Sequence, residues 1–407
     1  MESVWAASAA GRVHFGRGAS ELAGPIARVH GRRVFVCTDP VLTEHGVPAP
    51  VLESLRASGL TVKTYLGGEP EVSRSAVHTA AAAAADFAPD VIVGVGGGSN
   101  LDMAKGVALL LAHGGKLPDY YGESCVPGPV TPIVVVPTTA GTGSEVTPVA
   151  VFTDDQQALK AGVSSPHLLP VAALVDPLMT RTCPPTVTAH SGLDALSHAI
   201  EATCAASYLD FSPDATLTRV FTGKNPYSDA LAIAAIDLVA THLVAAYDDG
   251  ADMVAREGMM LASLLAGLAF SAAGTGVVHA LQYPLGARTH TAHGLGNALL
   301  MPAVLRFNAA ARARELAHVA RALGEQPWEA ADDVAARYAP RAVARLAARV
   351  GVPPGLRTIG VGESDLPAMA RDAMGIERLV RANPRPVTES DLLTILQDAL
   401  TGEEVDA

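Results

Sequence analysis

Apolar positions along the chain follow two different periods. Up to about residue 185, short β-branched runs alternate with stretches of helical composition. The segments 32–39 (RRVFVCTD), 60–66 (LTVKTYL), 90–98 (DVIVGVGGG) and 131–139 (TPIVVVPTT) predict strands. The segments 47–59 and the alanine-rich 73–89 predict helices between them, the first stopped by Gly59. Near-continuous apolar strands joined through helices imply a parallel sheet covered on both faces.

Beyond Pro185 the period lengthens to that of helices. HSGLDALSHAIEATCAASY, NPYSDALAIAAIDLVATHLVAAYDD, MVAREGMMLASLLAGLAFSAA and HGLGNALLMPAVLRFNAAARA each place apolar residues at helical spacing. His279 is expected near the end of an apolar helix, and His293 at the opening of the next, after a break at Pro284/Gly286. The last helix, in VTESDLLTILQDALTG, has Thr388 or Ser390 as its N-cap and Gly402 as its stop. Segment 209–224 fits neither pattern and reads as a loop excursion. The expected organisation is an α/β dinucleotide-binding domain over 1–185 and an all-helical metal-binding domain over 186–407.

Composition narrows the function classes. Only 17% of the 407 residues are charged while 49% are apolar, which favours burial over disorder. A net charge of −12 without a dense Lys/Arg run excludes a nucleic-acid partner. Four cysteines (Cys37, Cys125, Cys183, Cys204) lack CxxC spacing, so neither a disulfide framework nor a thiolate zinc site is expected. The start MESVWAASAAGRVHF lacks the basic and apolar regions of a signal peptide, and no apolar run is read as a membrane span. These features predict a cytoplasmic enzyme with no membrane partner.

Two loops at strand ends carry ligand-type chemistry. In GGGSNLDMAK, three glycines and Ser99 precede a helix, so backbone N–H groups and the helix terminus can approach a pyrophosphate. An ordinary strand-to-helix turn is the alternative, and the pattern is not GxGxxG. In PTTAGTGSEVTP, Thr138, Thr139, Thr142 and Ser144 offer hydroxyls among small residues; a plain surface loop is the alternative. Both loops lie at carboxyl ends of strands, where open α/β sheets bind ligands. Asp39, closing its strand, either accepts from an adenosine ribose or caps the turn at Pro40.

The helical half carries the metal-type chemistry. Asp194 and His198 are four residues apart, on one helical face. With His279 and His293 they make one carboxylate and three imidazoles, a set that suits Fe²⁺ or Zn²⁺. Any one of these histidines alone reads as structural. Four ligand-type residues in otherwise apolar helices need a shared reason, because unpaired buried polar groups cost several kcal/mol.

GGGSNLDMAK, PTTAGTGSEVTP, DALSHAIEA, NPYSDALA and the His279…His293-Gly294 pair together resemble the iron-containing (group III) alcohol dehydrogenases, from about residue 11 to 400. The resemblance implies the dehydroquinate synthase-like fold, with a dinucleotide-binding domain, a helical metal-binding domain and a catalytic cleft between them. It implies metal ligation by Asp194, His198, His279 and His293. It implies cofactor contacts from Asp39, Gly97, Gly98, Ser99, Asp102, Thr138, Thr139, Thr142 and Lys160, with Asp39 favouring NAD over NADP. The implied activity interconverts a primary alcohol and its aldehyde, in a homodimer or higher homo-oligomer. Tyr283 stands where many members have a further histidine, and with His290 it is a candidate for proton transfer. Glu71 replaces the usual asparagine of an EPNPT-like turn, and the 209–224 segment is lengthened. Tyr283 and that insertion also fit a hydroxyacid–oxoacid transhydrogenase acting on 4-hydroxybutyrate and succinic semialdehyde. A dehydroquinate-synthase-like lyase is the alternative of another class. Arg219, Lys224 and Arg288, if directed at the substrate, would favour an aldehyde bearing a carboxylate, phosphonate or sulfonate.

Overall fold

The computed structural model describes residues 4–156, 159–325 and 329–402. The chain forms two compact units, Ala7–Cys183 with Thr218–Val220, and Met1–Ala6 with Pro184–Leu217 and Phe221–Ala407.

The first unit is built on a six-stranded sheet of order β1-β9-β6-β4-β2-β3, every pair parallel. Its strands are β1 (Val13–Phe15), β2 (Arg33–Cys37), β3 (Thr61–Tyr65), β4 (Val91–Gly96), β6 (Ile133–Pro137) and β9 (Ala172–Val175). Its helices are α1 (Ala23–His30), α2 (Pro40–Glu44), α3 (Ala49–Ala57), α4 (Arg74–Phe87) and α5 (Gly98–His113). Val34, Val36, Val91, Val93, Val95, Val134 and Val136 are buried against Ala23, Ala27, Val51 and Leu55. Branched side chains thus fill the pleated face, and alanines let α1 lie close to it. The Ser73 hydroxyl caps α4 by accepting from Ala76 N at 3.1 Å.

A second sheet went unread in the sequence. β5 (Gly122–Glu123), β8 (Leu159–Ser164) and β7 (Val149–Asp154) form a three-stranded layer in which β7 and β8 are antiparallel. β7 directly follows the threonine-rich loop and β8 follows β7, and their mixed polar composition lacks the apolar continuity of the central strands.

The second unit is helical: α6 (Pro185–Cys204), α7 (Ala215–Thr218), α8 (Pro226–Asp248), α9 (Met253–Ala273), α10 (Val277–Thr289), α11 (His293–Asn308), α12 (Ala313–Ala322), α13 (Asp332–Ala335), α14 (Ala339–Arg349), α15 (Leu366–Met374), α16 (Glu377–Val380) and α17 (Glu389–Thr401). α6, α8 and α9 pack on one another. Thr388 caps α17 by accepting from Asp391 N, and Gly402 ends it in the left-handed region.

Two sequence expectations are corrected. His279 lies at the start of α10, not the end of a longer helix, because Gly274 at φ 87° terminates α9. Pro284 and Gly286 sit within α10, and the break falls at His290, which takes φ 51°. α8 and α9 are each long and apolar enough to cross a membrane by length and composition; here they line the bundle with Ala, Leu, Met and Val. Segment 209–224 holds a 3-10 turn at Tyr208–Asp210 and the single-turn α7, with its base closed by Tyr208 N donating to Lys224 O and Lys224 N to Ala206 O.

Candidate active site

Four side chains from three helices of the second unit converge. Asp194 and His198 come from successive turns of α6, His279 from the first turn of α10, and His293 opens α11. One donor atom of each lies within 4.8 Å of the others. Asp194 Oδ1 stands 3.9 Å from His198 Nε2, 4.0 Å from His279 Nε2 and 3.8 Å from His293 Nε2. These separations are too long for hydrogen bonds. Around a tetrahedral ion with bonds of about 2.1 Å, ligand atoms sit roughly 3.4 Å apart, so the Asp194–His separations need shorten by only about 0.5 Å. Three nitrogens and one carboxylate oxygen facing a common point fit a divalent ion better than they fit one another.

The surroundings orient these donors. His279 Nδ1 donates to Glu201 Oε2, and Val278 N donates to Glu201 Oε1 at 2.7 Å. With its proton on Nδ1, His279 keeps the Nε2 lone pair directed into the cluster. Asn297 Nδ2 donates to Asp194 Oδ1 at 2.8 Å and also reaches His279 Nε2 at 3.3 Å, so one amide nitrogen bridges two of the cluster's donor atoms. His198 stacks between Phe270 (4.4 Å between ring centroids) and His279 (4.7 Å). Asp194, His198 and His279 are buried, while the His293 side chain is 31% exposed. Close approach of α11 to α6 depends on Gly294. A Cβ there would lie 1.9 Å from His190 O and 3.0 Å from Asp194 Cβ.

Sequence reasoning missed Glu201 and Asn297. Glu201 follows Asp194 and His198 at seven and three residues, which is one helical face, so spacing alone could have found it. Asn297 is four residues past His293, and its role is visible only once α11 lies against α6.

The remaining sequence candidates of this unit lie as follows. Tyr283 is buried on α10, one turn beyond His279, and its hydroxyl accepts from Arg378 Nη2 at 3.0 Å. His290 is exposed and its N–H closes α10 on Gly286 O. Arg288 pairs with Asp372 at 2.8 Å, and Lys224 with Asp229 at 2.5 Å and Glu315 at 3.2 Å. Two of the three cations considered for an anionic substrate are therefore neutralised by neighbouring carboxylates.

In the first unit the two ligand-type loops lie side by side at the carboxyl ends of β4 and β6. Gly97 caps α5, with Gly98 and Ser99 in its first turn. A Cβ on Gly98 would meet Thr142 Cγ2 at 2.7 Å, and one on Gly97 would meet Thr139 at 3.4 Å. Thr138 N donates to Gly96 O. The glycines thus allow this close approach and leave the N–H groups of the α5 terminus unobstructed, the donor arrangement suited to phosphate. Asp39 is the N-cap of α2, accepting from Leu42 N at 2.9 Å through Oδ1, while Oδ2 accepts from Asn100 Nδ2 at 2.6 Å. The capping alternative is therefore realised; a carboxylate with about four acceptor positions still retains some for a ribose.

Asp102 is a bracket within the unit. Its Oδ1 accepts from Ser144 Oγ at 2.7 Å and its Oδ2 from Val151 N at 2.9 Å, and burial pushes its carboxyl up. The fully buried Lys105, also missed from sequence, donates to Ser144 Oγ (3.1 Å), Thr147 O (2.9 Å) and Val149 O (2.7 Å). Burial lowers its ammonium to about 8 and raises the neighbouring Glu145 to about 7. Lys160 Nζ pairs with Glu71 Oε1 at 2.6 Å. Glu71 takes φ 53°, its N–H donates to Ser99 Oγ at 3.0 Å, and its carbonyl accepts from Thr153 Oγ1 at 3.1 Å. That left-handed backbone explains why asparagine suits this position better than most residues.

Comparison with known proteins follows the same division. Residues 10–177 match the family model described as iron-containing alcohol dehydrogenase, and 188–400 match its C-terminal counterpart, the Fe-containing alcohol dehydrogenase family. The chain is 37% identical to long-chain-alcohol dehydrogenase 1 of Geobacillus thermodenitrificans, over 97% of this chain and 96% of that one. It is 34% identical to the sulfoacetaldehyde reductase of Bilophila wadsworthia, over 93% and 94% of the two chains. Among solved structures it resembles a 1,3-propanediol oxidoreductase with a TM-score of 0.90 and 35% identity, covering 98% of this chain and all of that one.

Proposed function

The chain belongs to the iron-containing alcohol dehydrogenase family, and from that premise we propose that it interconverts a primary alcohol and its aldehyde, using NAD and one divalent metal held by Asp194, His198, His279 and His293. The observation that carries this reading is the convergence of three imidazole nitrogens on one carboxylate oxygen at 3.8–4.0 Å. A metal held there supplies Lewis acidity to the substrate oxygen, while the dinucleotide takes or gives the hydride.

The chain's own residues supply orientation and proton handling. Glu201 fixes the proton of His279 on Nδ1, and Asn297 fixes the rotation of Asp194. The α5 terminus at Gly97–Ser99 and the hydroxyls of Thr138, Thr139 and Thr142 receive the dinucleotide, with Lys160 as a further contact. Asp102 is assigned to holding these loops together, through Ser144 and Val151. Asp39 accepts from the adenosine ribose and disfavours a 2′-phosphate, which makes NAD the preferred cofactor over NADP. Tyr283, whose hydroxyl accepts from Arg378, passes a proton outward, and exposed His290 exchanges it with water. Iron and zinc both suit this donor set. A cytoplasmic location accords with four free cysteines, and a homodimer with the family assignment.

A neutral primary alcohol or aldehyde is the proposed substrate, because Arg288 and Lys224 are already paired with carboxylates. An aldehyde carrying an anionic group is the second reading, favoured by the likeness to a sulfoacetaldehyde reductase. Rates of NADH oxidation with propanal, succinic semialdehyde and sulfoacetaldehyde separate the two. A higher kcat/KM on propanal is expected, and a preference of about tenfold or more for either anionic aldehyde overturns the neutral assignment.

A further inference from the structure

The second unit contains a cavity of about 190 Å³ that none of the chemistry above uses. Its walls come from α11, α14, the turn at 352–355 and the end of α17. Leu299, Pro302 and Ala344 are among the apolar residues that line it, and among the described residues the charged side chains there are Arg306, Arg337 and Arg341. Among the described residues no carboxylate lines the cavity, on a protein of net charge −12. The three guanidiniums differ in their commitments. Arg306 is held in a two-pronged pair with Asp398 at 2.7 and 2.8 Å. Arg341 stands 3.7 Å from Glu325, which also pairs with Arg345. Arg337 has no hydrogen-bond or ion-pair partner among the described residues.

An apolar pocket edged by an uncommitted guanidinium matches a ligand with an apolar body and one anionic head. The volume is below the roughly 300–1,000 Å³ of pockets for drug-sized ligands, so the body is short. We infer that this cavity binds a medium-chain carboxylate, with its alkyl chain against Leu299, Pro302 and Ala344 and its carboxylate on Arg337, assisted by Arg341. Arg–carboxylate pairing supplies the orientation, and removal of the alkyl chain from water supplies most of the affinity. This inference does not depend on the metal or cofactor assignment.

The test is isothermal titration of the full-length, metal-loaded protein with octanoate, and with octanamide as the uncharged analogue of equal size. Octanoate is expected to bind with a Kd on the order of 0.1–1 mM, as suits about ten heavy atoms. Octanamide is expected to bind about tenfold more weakly, and Arg337→Glu to weaken octanoate by at least about tenfold. Ala344→Trp, which fills the cavity from α14, is expected to abolish binding, and saturating NAD with a substrate alcohol to leave it unchanged. Arg337 is exposed, so its variant keeps the test decisive if Ala344→Trp does not fold. Equal affinity for octanamide, retention of binding in Arg337→Glu, competition by NAD or alcohol, or no binding at 10 mM (about tenfold above the weakest expected Kd) each overturns the inference. Dissociation of an oligomer by Ala344→Trp without octanoate binding in the parent overturns it too, by making the cavity an interface between copies.

Discussion

Glu201→Gln isolates the orientation of one proposed metal ligand, His279, without changing side-chain volume. In the native chain the two Glu201 oxygens each receive a different donor, Val278 N–H at 2.7 Å and His279 Nδ1–H. An amide has a single oxygen, so glutamine must turn its NH₂ group on one of them. If the oxygen serves His279, Val278 N–H faces another donor in a buried site. If it serves Val278, the NH₂ group meets Nδ1 and drives the His279 proton onto Nε2, the atom aimed at Asp194. A buried donor left unsatisfied costs about 1–3 kcal/mol. Loss of such a supporting hydrogen bond lowers metal affinity by about 10–100-fold, which is about 1.4–2.7 kcal/mol at 1.36 kcal/mol per tenfold. The two estimates agree. Competition with a graded chelator, read as metal retained per chain, should show this drop in Glu201→Gln, while the unfolding free energy of the metal-free protein in urea falls by no more than the same burial cost of about 1–3 kcal/mol. Metal affinity equal to that of the parent would refute the orienting role of Glu201.

Other outcomes follow from the same geometry. Gly294→Ala places a Cβ 1.9 Å from His190 O; the overpacking should cost about 1–3 kcal/mol in urea unfolding and lower metal content together, and loss of stability with full metal retention would contradict the account. Glu71→Asn suits the φ 53° backbone and frees the Lys160 ammonium for an anionic ligand. The KM for NAD is therefore expected to fall about 3–10-fold with kcat little changed, consistent with one charge-assisted hydrogen bond, and an unchanged KM would remove Lys160 from the cofactor contacts. Glu145, raised by burial to about 7 from an ordinary 4.5, binds its proton more tightly folded than unfolded. Its contribution to stability is fully present below about pH 4.5 and is lost as pH rises towards 7. Urea unfolding of Glu145→Gln should lack that slope, and an identical slope in parent and variant would assign it elsewhere.

What was legible in the sequence was what a local pattern records. The continuous valine runs announced β2, β4 and β6 because strands covered on both faces have no polar side to interrupt them. The four-residue step from Asp194 to His198 was readable for the same reason, since one helix fixes it. The β7–β8 pair was not, because an antiparallel layer of mixed polarity carries weak periodicity. The end of α9 was hidden by its composition: apolar residues continue past Gly274 into α10, and only the left-handed backbone at that glycine separates them. Glu201 lay on the readable face of α6 with Asp194 and His198, but Asn297 and Lys105 show a further limit. Each of these two is an ordinary polar residue in its own helix, and each gains its role from a neighbour distant in sequence or from burial. Asp39 shows that two readings of one carboxylate need not exclude each other, since its capping bond and its bond from Asn100 leave acceptor capacity unused.

The central claim is that Asp194, His198, His279 and His293 together hold the metal on which alcohol oxidation depends. It is tested most directly by measuring metal per chain and alcohol-dependent NADH formation on the same samples: the parent, the chelated and reconstituted parent, and His279→Ala. The account predicts about one iron or zinc per chain in the parent. It predicts parallel loss of metal and activity on chelation, recovery of both on adding metal back, and neither in His279→Ala. Full activity in metal-free protein, or full metal content and activity in His279→Ala, would contradict it.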